Sequence, residues 1–166
     1  MKWLFRLLRR QRDNIRITDE VILEHIRGGK VVDRRVLKGN LITSAGKAAV
    51  AYLIGSETPD PFTWLAVGTD PTGEDIADTT LGAEITTNGL ERAAGTVSRI
   101  TTTVANDTMQ ILHTWTATAA HLVREVGVFD QDAPGGEMLN HKTFALITLA
   151  NTDQLKLTVK FPITAA

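Results

Sequence analysis

Gln154-Leu155-Lys156-Leu157-Thr158-Val159-Lys160-Phe161-Pro162-Ile163 is the stretch on which the fold turns. Leu155, Leu157, Val159, Phe161 and Ile163 fall on one side, and Lys156, Thr158 and Lys160 on the other. That period of two belongs to a strand with one buried face, because successive side chains of a strand point to opposite faces. Pro162 predicts a strand end or an edge, since proline donates no ladder hydrogen bond. Upstream, the chain reads as further strands: 63–68 (TWLAVG), 92–104 (RAAGTVSRITTTV), 109–118 (MQILHTWTAT), 122–130 (LVREVGVFD) and 137–147 (EMLNHKTFALI). In 109–118, Met109, Ile111 and Trp115 are expected to point inward and Gln110, Thr114 and Thr116 outward. Asn106-Asp107 and Asp132-Ala133-Pro134-Gly135-Gly136 supply turn chemistry between runs.

Two further elements precede these strands. Residues 19–27 (DEVILEHIR) and 30–38 (KVVDRRVLK) flank Gly28-Gly29, which reads as a hairpin with a two-residue turn. Charges inside both runs predict a two-sided ribbon or a sheet edge. Thr43 is a candidate helix cap, Ala45 to Ile54 is the strongest helical stretch, and Gly55 follows as a stop. Ala49, Tyr52 and Leu53 are expected to share its buried face. The fold class expected is mainly β: an antiparallel β-sandwich or jelly-roll-like barrel with one α-helix and an extended basic N-terminal arm.

The length of 166 residues suits one domain, or one domain with an arm. A net charge of −1 hides an uneven distribution. Residues 1–38 hold eleven Lys/Arg and five Asp/Glu, a charge of +6; residues 39–166 carry −7. The sequence therefore divides into a basic arm with a β-hairpin, 1–38, and a sandwich body, 39–166. Within MKWLFRLLRRQR, Trp3, Leu4, Leu7 and Leu8 make one helical face, and Arg6, Arg9 and Arg10 lie opposite, with Arg12 beyond. Arg6 breaks the apolar run that a secretory signal needs. The pattern fits an arm that seats its Trp/Leu face in a groove while its arginines meet an acidic rim. An interfacial membrane helix and a solvated tail are competing readings. The acidic body would repel a phosphate backbone, which argues against nucleic acid.

Catalytic and metal signatures fail one by one. With no cysteine there is no disulfide, Cys-ligated zinc, iron–sulfur cluster or thiol nucleophile. No apolar run approaches the roughly 18–20 residues of a membrane-spanning helix. His25, His113, His121 and His141 show no H-E-x-x-H motif and no ligand spacing with one another. Ser44, Ser56 and Ser98 lie in no nucleophile elbow. In the loop 69–80, Asp70, Glu74, Asp75 and Asp78 are close enough to suggest calcium, but the EF-hand spacing is missing, and a solvated loop is the plainer reading. Neither a cofactor nor a catalytic residue is expected. Glu125, inside LVREVGVFD on the face of Phe129, is the acid expected to be buried. Such a charge requires a partner. A structural ion pair with Arg92 is expected, with Glu84 as the other candidate partner for that arginine.

In order along the chain come Asn40-Leu41-Ile42-Thr43-Ser44-Ala45-Gly46 opening a helix, Trp64-Leu65-Ala66-Val67-Gly68-Thr69, Asp78-Thr79-Thr80-Leu81-Gly82-Ala83-Glu84, Arg92, and Arg124-Glu125-Val126-Gly127-Val128-Phe129 before the final alternating strand. This ordered set, over about residues 39–163, resembles small virion structural proteins of tailed bacteriophages, the decoration and tail- or neck-fibre-like group. The resemblance implies a non-enzymatic β-module made in the bacterial host cytoplasm and assembled on a virion, often as a trimer. It implies virion proteins as partners: the major capsid protein for a decoration or cement protein, portal or tail proteins for a neck, tail or fibre component. A carbohydrate-binding module is a further alternative, which would need Trp64 and Trp115 exposed; both are expected in the core.

Overall fold

The computed structural model describes residues 15–39, 41–55, 60–133 and 135–165. Their elements are β1 (Ile15–Ile17), β2 (Glu20–Arg27), β3 (Lys30–Lys38), β4 (Leu41–Ile42), α1 (Ser44–Ile54), β5 (Trp64–Gly68), β6 (Ala93–Ala94), β7 (Thr96–Ile100), β8 (Thr108–Thr116), β9 (His121–Phe129), β10 (Met138–Leu149) and β11 (Gln154–Ala165). They form two antiparallel sheets that make a β-sandwich. One runs β3-β2-β11-β8-β7, with β1 pairing the far end of β11; the other runs β4-β10-β9-β5-β6. Both sheets keep open edges, so this is a sandwich and not a closed barrel. At Gly95 the chain leaves β6 in one sheet and enters β7 in the other, which stitches the layers together at a corner.

The stretch 154–163 becomes β11, at the heart of the first sheet. Leu157 pairs with Leu23 on one side and His113 on the other. Leu155, Leu157, Val159 and Phe161 enter the core between the sheets, as the alternation predicts. Pro162 is not on an edge. It lies at a seam, where β2 pairing ends at Lys160↔Glu20 and β1 pairing begins at Ile163↔Ile17. Its carbonyl accepts the Thr18 N–H at 3.2 Å, bridging that seam.

The hairpin forms as read, with Gly28 and Gly29 both at positive φ, the conformation that a two-residue turn demands. Its place corrects the division at residue 38/39. β3 is a sheet edge, but β2 is internal, and Val21 and Leu23 are fully buried core residues. Residues 20–38 therefore belong to the sandwich, because the alternation on β2 supplies part of its core face. Trp3, Leu4, Arg6, Leu7, Leu8, Arg9, Arg10 and Arg12 lie outside the described residues.

The helix is also corrected. Thr43 caps it as expected, its hydroxyl oxygen accepting the Gly46 N–H at 2.9 Å. The face turned to the protein, however, carries small residues, Gly46 and Ala49. A Cβ at position 46 would overlap the backbone of Leu139, so glycine permits the close approach to β10. The large residues point away: Tyr52 is 50% exposed, Leu53 43% and Ile54 81%.

Residues 69–92 run alongside β5 beyond its short pairing with β6. The Ile85 N–H bonds the Val67 carbonyl at 2.9 Å, and the Thr69 N–H bonds Ala83 at 2.9 Å. Ile85 and Leu90 enter the main core, whereas Leu81 covers the sheet's outer face with Ala66, Phe129 and Met138. Those four residues, with Trp64 against them, form a second small apolar cluster. Glu125 lies on that covered outer face.

Candidate functional site

Alternation on β9 puts Glu125, Gly127 and Phe129 beneath the 69–92 segment. Glu125 is fully buried, so its charge needs replacement solvation. The segment supplies it: the N–H groups of Ala83, Gly82 and Asp70 donate to the carboxylate at 2.8, 2.9 and 3.2 Å. The approach is close enough that a Cβ on Gly68 would strike the carboxylate.

The fourth donor is His141 on β10. Register pairs Glu125 with Thr143 and His141 with Gly127, so the two side chains are diagonal neighbours on one face. His141 Nε2–H donates to Glu125 Oε2 at 3.1 Å, and Nδ1–H donates to Asp78 Oδ2 at 2.7 Å. An ionised carboxylate only accepts, so both ring nitrogens must carry a proton for both bonds to form. The electrostatics agree. Burial alone would lower the His141 pKa, but the bonds to Glu125 and Asp78 outweigh it and hold it above the ordinary 6.5. Burial likewise pushes Glu125 up, yet His141 and the three N–H groups hold it below its usual 4.5.

A second attachment lies alongside. Glu74 accepts from Lys142 Nζ at 2.5 Å and from the Thr143 hydroxyl at 2.6 Å. Burial opposes ionisation there, but these donors lower its pKa to about 2. Thus two neighbouring residues of β10, His141 and Lys142, hold carboxylates from the loop 69–80. Its remaining acids serve the loop itself: Asp70 Oδ1 accepts the Thr72 N–H, and Asp75 Oδ1 accepts the Ala77 N–H, both at 2.8 Å. Among the described residues, no group of three or more His, Asp or Glu is placed to hold a metal ion.

The expected Glu125–Arg92 pair does not form. Arg92 instead binds Glu84, its other candidate partner, in fork geometry, Nε at 2.9 Å and Nη2 at 2.6 Å. Its Nη1 donates to the carbonyls of Gly135 at 2.8 Å and Gln131 at 3.2 Å. The guanidinium carbon stands 3.6 Å from the centre of the Phe129 ring. Arg92 therefore ties the wrapping segment to the turn after β9, while Glu125 ties it to β9 and, through His141, to β10. His141 escapes sequence reading because its partners are 16 and 63 positions away and are joined only by strand register. A buried-looking acid with no local cation was the available signal.

Chemically, this is a fastening. Both nitrogens of His141 are engaged by carboxylates, which leaves neither to take a proton from a third group. A polar cleft of about 280 Å³ lies beside it, lined by Asp70, Asp78, Thr79, Thr80, Gly82 and His141, among others.

A second cleft differs in every respect. About 570 Å³ in volume and almost wholly apolar, it opens at the end of the sandwich where α1 crosses. Val50 and Leu53 of α1, Ile17 of β1, Val97 of β7, and Phe161 and Ile163 of β11 are among its walls, and among the described residues Lys47 is the one charged side chain lining it. Of the two tryptophans among the described residues, Trp115 is 3% exposed and donates Nε1–H to the Glu91 carbonyl at 2.7 Å. Trp64 is only partly buried, less deeply than expected.

Compared with protein-family models, curated proteins and solved structures, the chain has no match. Fold and site define a β-sandwich in which the buried Glu125 and Arg92 are paired internally and an apolar cleft opens beside α1.

Proposed function

We propose that this protein is a non-enzymatic structural component of a tailed-phage virion, a decoration or cement protein that binds neighbouring shell subunits through its basic N-terminal residues. The observation that carries the reading is the position of the arm's root. Ile15, where the described chain begins, belongs to the strand that borders the apolar cleft, and Tyr52, Leu53 and Ile54 stand exposed on the helix that crosses it. Contiguous apolar surface of this kind marks an interaction site. The internally satisfied Glu125–His141–Asp78 bridge supports a holding role over a catalytic one, as does the resemblance in the ordered motifs from Asn40 to Phe129.

The partner is the major capsid protein, and the protein acts as a homo-oligomer, with a trimer favoured. Many weak arm contacts, repeated over a shell, sum to firm attachment. The test is co-sedimentation with heads prepared without this protein. The full chain binds, and the chain lacking residues 1–12 stays folded but does not. Equal binding by both forms would overturn the proposal. A neck, tail or fibre position would be indicated by binding to tails or portals instead of heads. The buried Trp115 removes one of the two stacking surfaces that a carbohydrate-binding module would need.

A further inference from the structure

We propose that the outer face of the first sheet is the docking surface for an acidic protein surface that sets carboxylates around an apolar centre. This deepens the reading of the chain as one that binds a partner through basic residues, and rests on it, by giving the orientation in which the sandwich sits on that partner.

Register builds the face. Val21 and Leu23 of β2 and Leu155, Leu157 and Val159 of β11 point into the core, so Glu20, Ile22 and Glu24, and Lys156, Thr158 and Lys160, point out. β3 adds Lys38, Val36 and Arg34 in register with Glu20, Ile22 and Glu24. Rows running across the strands result. One reads Lys38–Glu20–Lys160 and another Arg34–Glu24–Lys156. Between them lie Val36, Ile22 and Thr158, with Leu112 of β8 beyond. Each glutamate is shared by two cations. Glu20 lies 3.0 Å from Lys160 and 3.5 Å from Lys38, and Glu24 lies 2.8 Å from Lys156 and 3.5 Å from Arg34. The cations stand above the acids: the side chains of Lys38 and Arg34 are 74% and 53% exposed, those of Glu20 and Glu24 22% and 18%. The face is therefore positive, with Val36, 41% exposed, between the two charged rows.

This array selects one class of partner. The four cations mark the corners of a rectangle about 10 Å across the strands and about 13 Å along them, two strand spacings by four residues. Carboxylates at that spacing around an apolar ridge complement it in charge and in shape. A second copy presenting the same face does not. A two-fold axis along β2 sets Lys38 over Lys160 of the other copy and Glu20 over Glu20. A two-fold axis along the apolar row sets Lys38 over Arg34 and Glu20 over Glu24. Either rotation brings like charges together, which opposes association. Nucleic acid fits less well than an acidic protein, because Glu20 and Glu24 would meet its phosphates and the aliphatic row offers no ring on which a base could stack.

The sandwich as a whole is polarised to match. The strands of the first sheet hold nine Lys/Arg and three Asp/Glu, a charge of +6. Those of the second sheet, taken with residues 69–92 that cover it, hold three Lys/Arg and seven Asp/Glu, a charge of −4. An acidic surface attracts the first layer and repels the second, so the field of the molecule turns the basic sheet toward its partner before contact.

Titration calorimetry of the full chain against a random copolymer of glutamate and tyrosine, and against poly-L-glutamate, tests the face. The copolymer should bind more tightly than poly-L-glutamate, and Val36→Ser should remove that preference. Arg34→Glu combined with Lys38→Glu should weaken copolymer binding by about tenfold. Lys47→Glu combined with Arg99→Glu makes the same change of net charge on α1 and β7, away from the face, and should alter binding by less than about twofold. Arg34→Gln combined with Lys38→Gln removes the two charges without reversing them; it should keep the native circular dichroism spectrum and still lose affinity, which keeps the test valid where the reversed pair fails to fold. Equal losses from the face pair and the control pair, no loss from the glutamine pair, or no preference for the copolymer would each overturn the inference. Tighter binding of duplex DNA or of phosphatidylglycerol vesicles than of the copolymer, lost in the same face variants, would overturn it by giving the face to nucleic acid or to a membrane. The copolymer stands in for the partner, so a failure here is separable from a failure to bind shells.

Discussion

At Glu125 a single carboxylate settles how a whole surface segment is held. Its three backbone donors come from the wrapping segment and its side-chain donor from β10, so removing its charge loosens both. Glu125→Gln is expected to lower unfolding stability by about 3 kcal/mol, the cost of breaking a buried pair from one side; urea denaturation measures it. The titration behaviour has two opposite signs. His141 is held above 6.5 in the folded state, so its contribution is complete below pH 6.5 and disappears as the pH rises through the folded value. Glu125 and Glu74 are held below 4.5, so theirs are present above pH 4.5 and lost as the pH falls, for Glu74 through about 2. The urea midpoint should therefore be highest between those limits and decline toward the alkaline side. His141→Gln should flatten that alkaline decline; parallel curves for the two proteins would contradict the assignment. Sequence alone shows Glu125 as a charge in an apolar run. It cannot show His141, because the geometry that joins them is the register of β9 on β10.

Elements were legible to different degrees for physical reasons. β11 can be read because Leu155, Leu157, Val159 and Phe161 are buried as the alternation predicts; Thr158 is buried as well, and Ile163, expected on the same face, is half exposed. Placement beside β2 was not legible, since period-two patterning says which face is buried but not which strand is the neighbour. The helix was legible in its cap, Thr43, and in its alanines. Its buried face was misread because apolar size is a poor guide where backbone proximity, here Gly46 on Leu139, decides what faces inward. Two substitutions test these points. Leu157→Ala in the fully buried centre of β11 should cost about 3 kcal/mol, within the usual range for core truncations. Thr43→Ala should cost about 1 kcal/mol through loss of the cap. By contrast, Leu53→Ala should change stability by less than about 0.5 kcal/mol, the usual range for surface positions. A core-sized loss there would show that the helix packs the other way.

Over the whole molecule, the charge division and the structural division fall in different places. The basic segment extends to residue 38, but the sandwich already includes β2 and β3. A chain lacking residues 1–12 should therefore still unfold cooperatively. One lacking residues 1–38 should not fold, because β11 loses the internal neighbour whose Val21 and Leu23 fill the core. Circular dichroism and thermal unfolding separate the two cases. The division of labour proposed here gives the sandwich stability by its own internal pairings and gives the N-terminal residues the partner. Counting copies of this protein on purified particles by quantitative mass spectrometry tests that claim most directly. A decoration protein should be present in proportion to the shell subunits, and the form lacking residues 1–12 should be missing from the particles. Absence of the full chain from particles, or retention of the truncated form at the same copy number, would contradict the account.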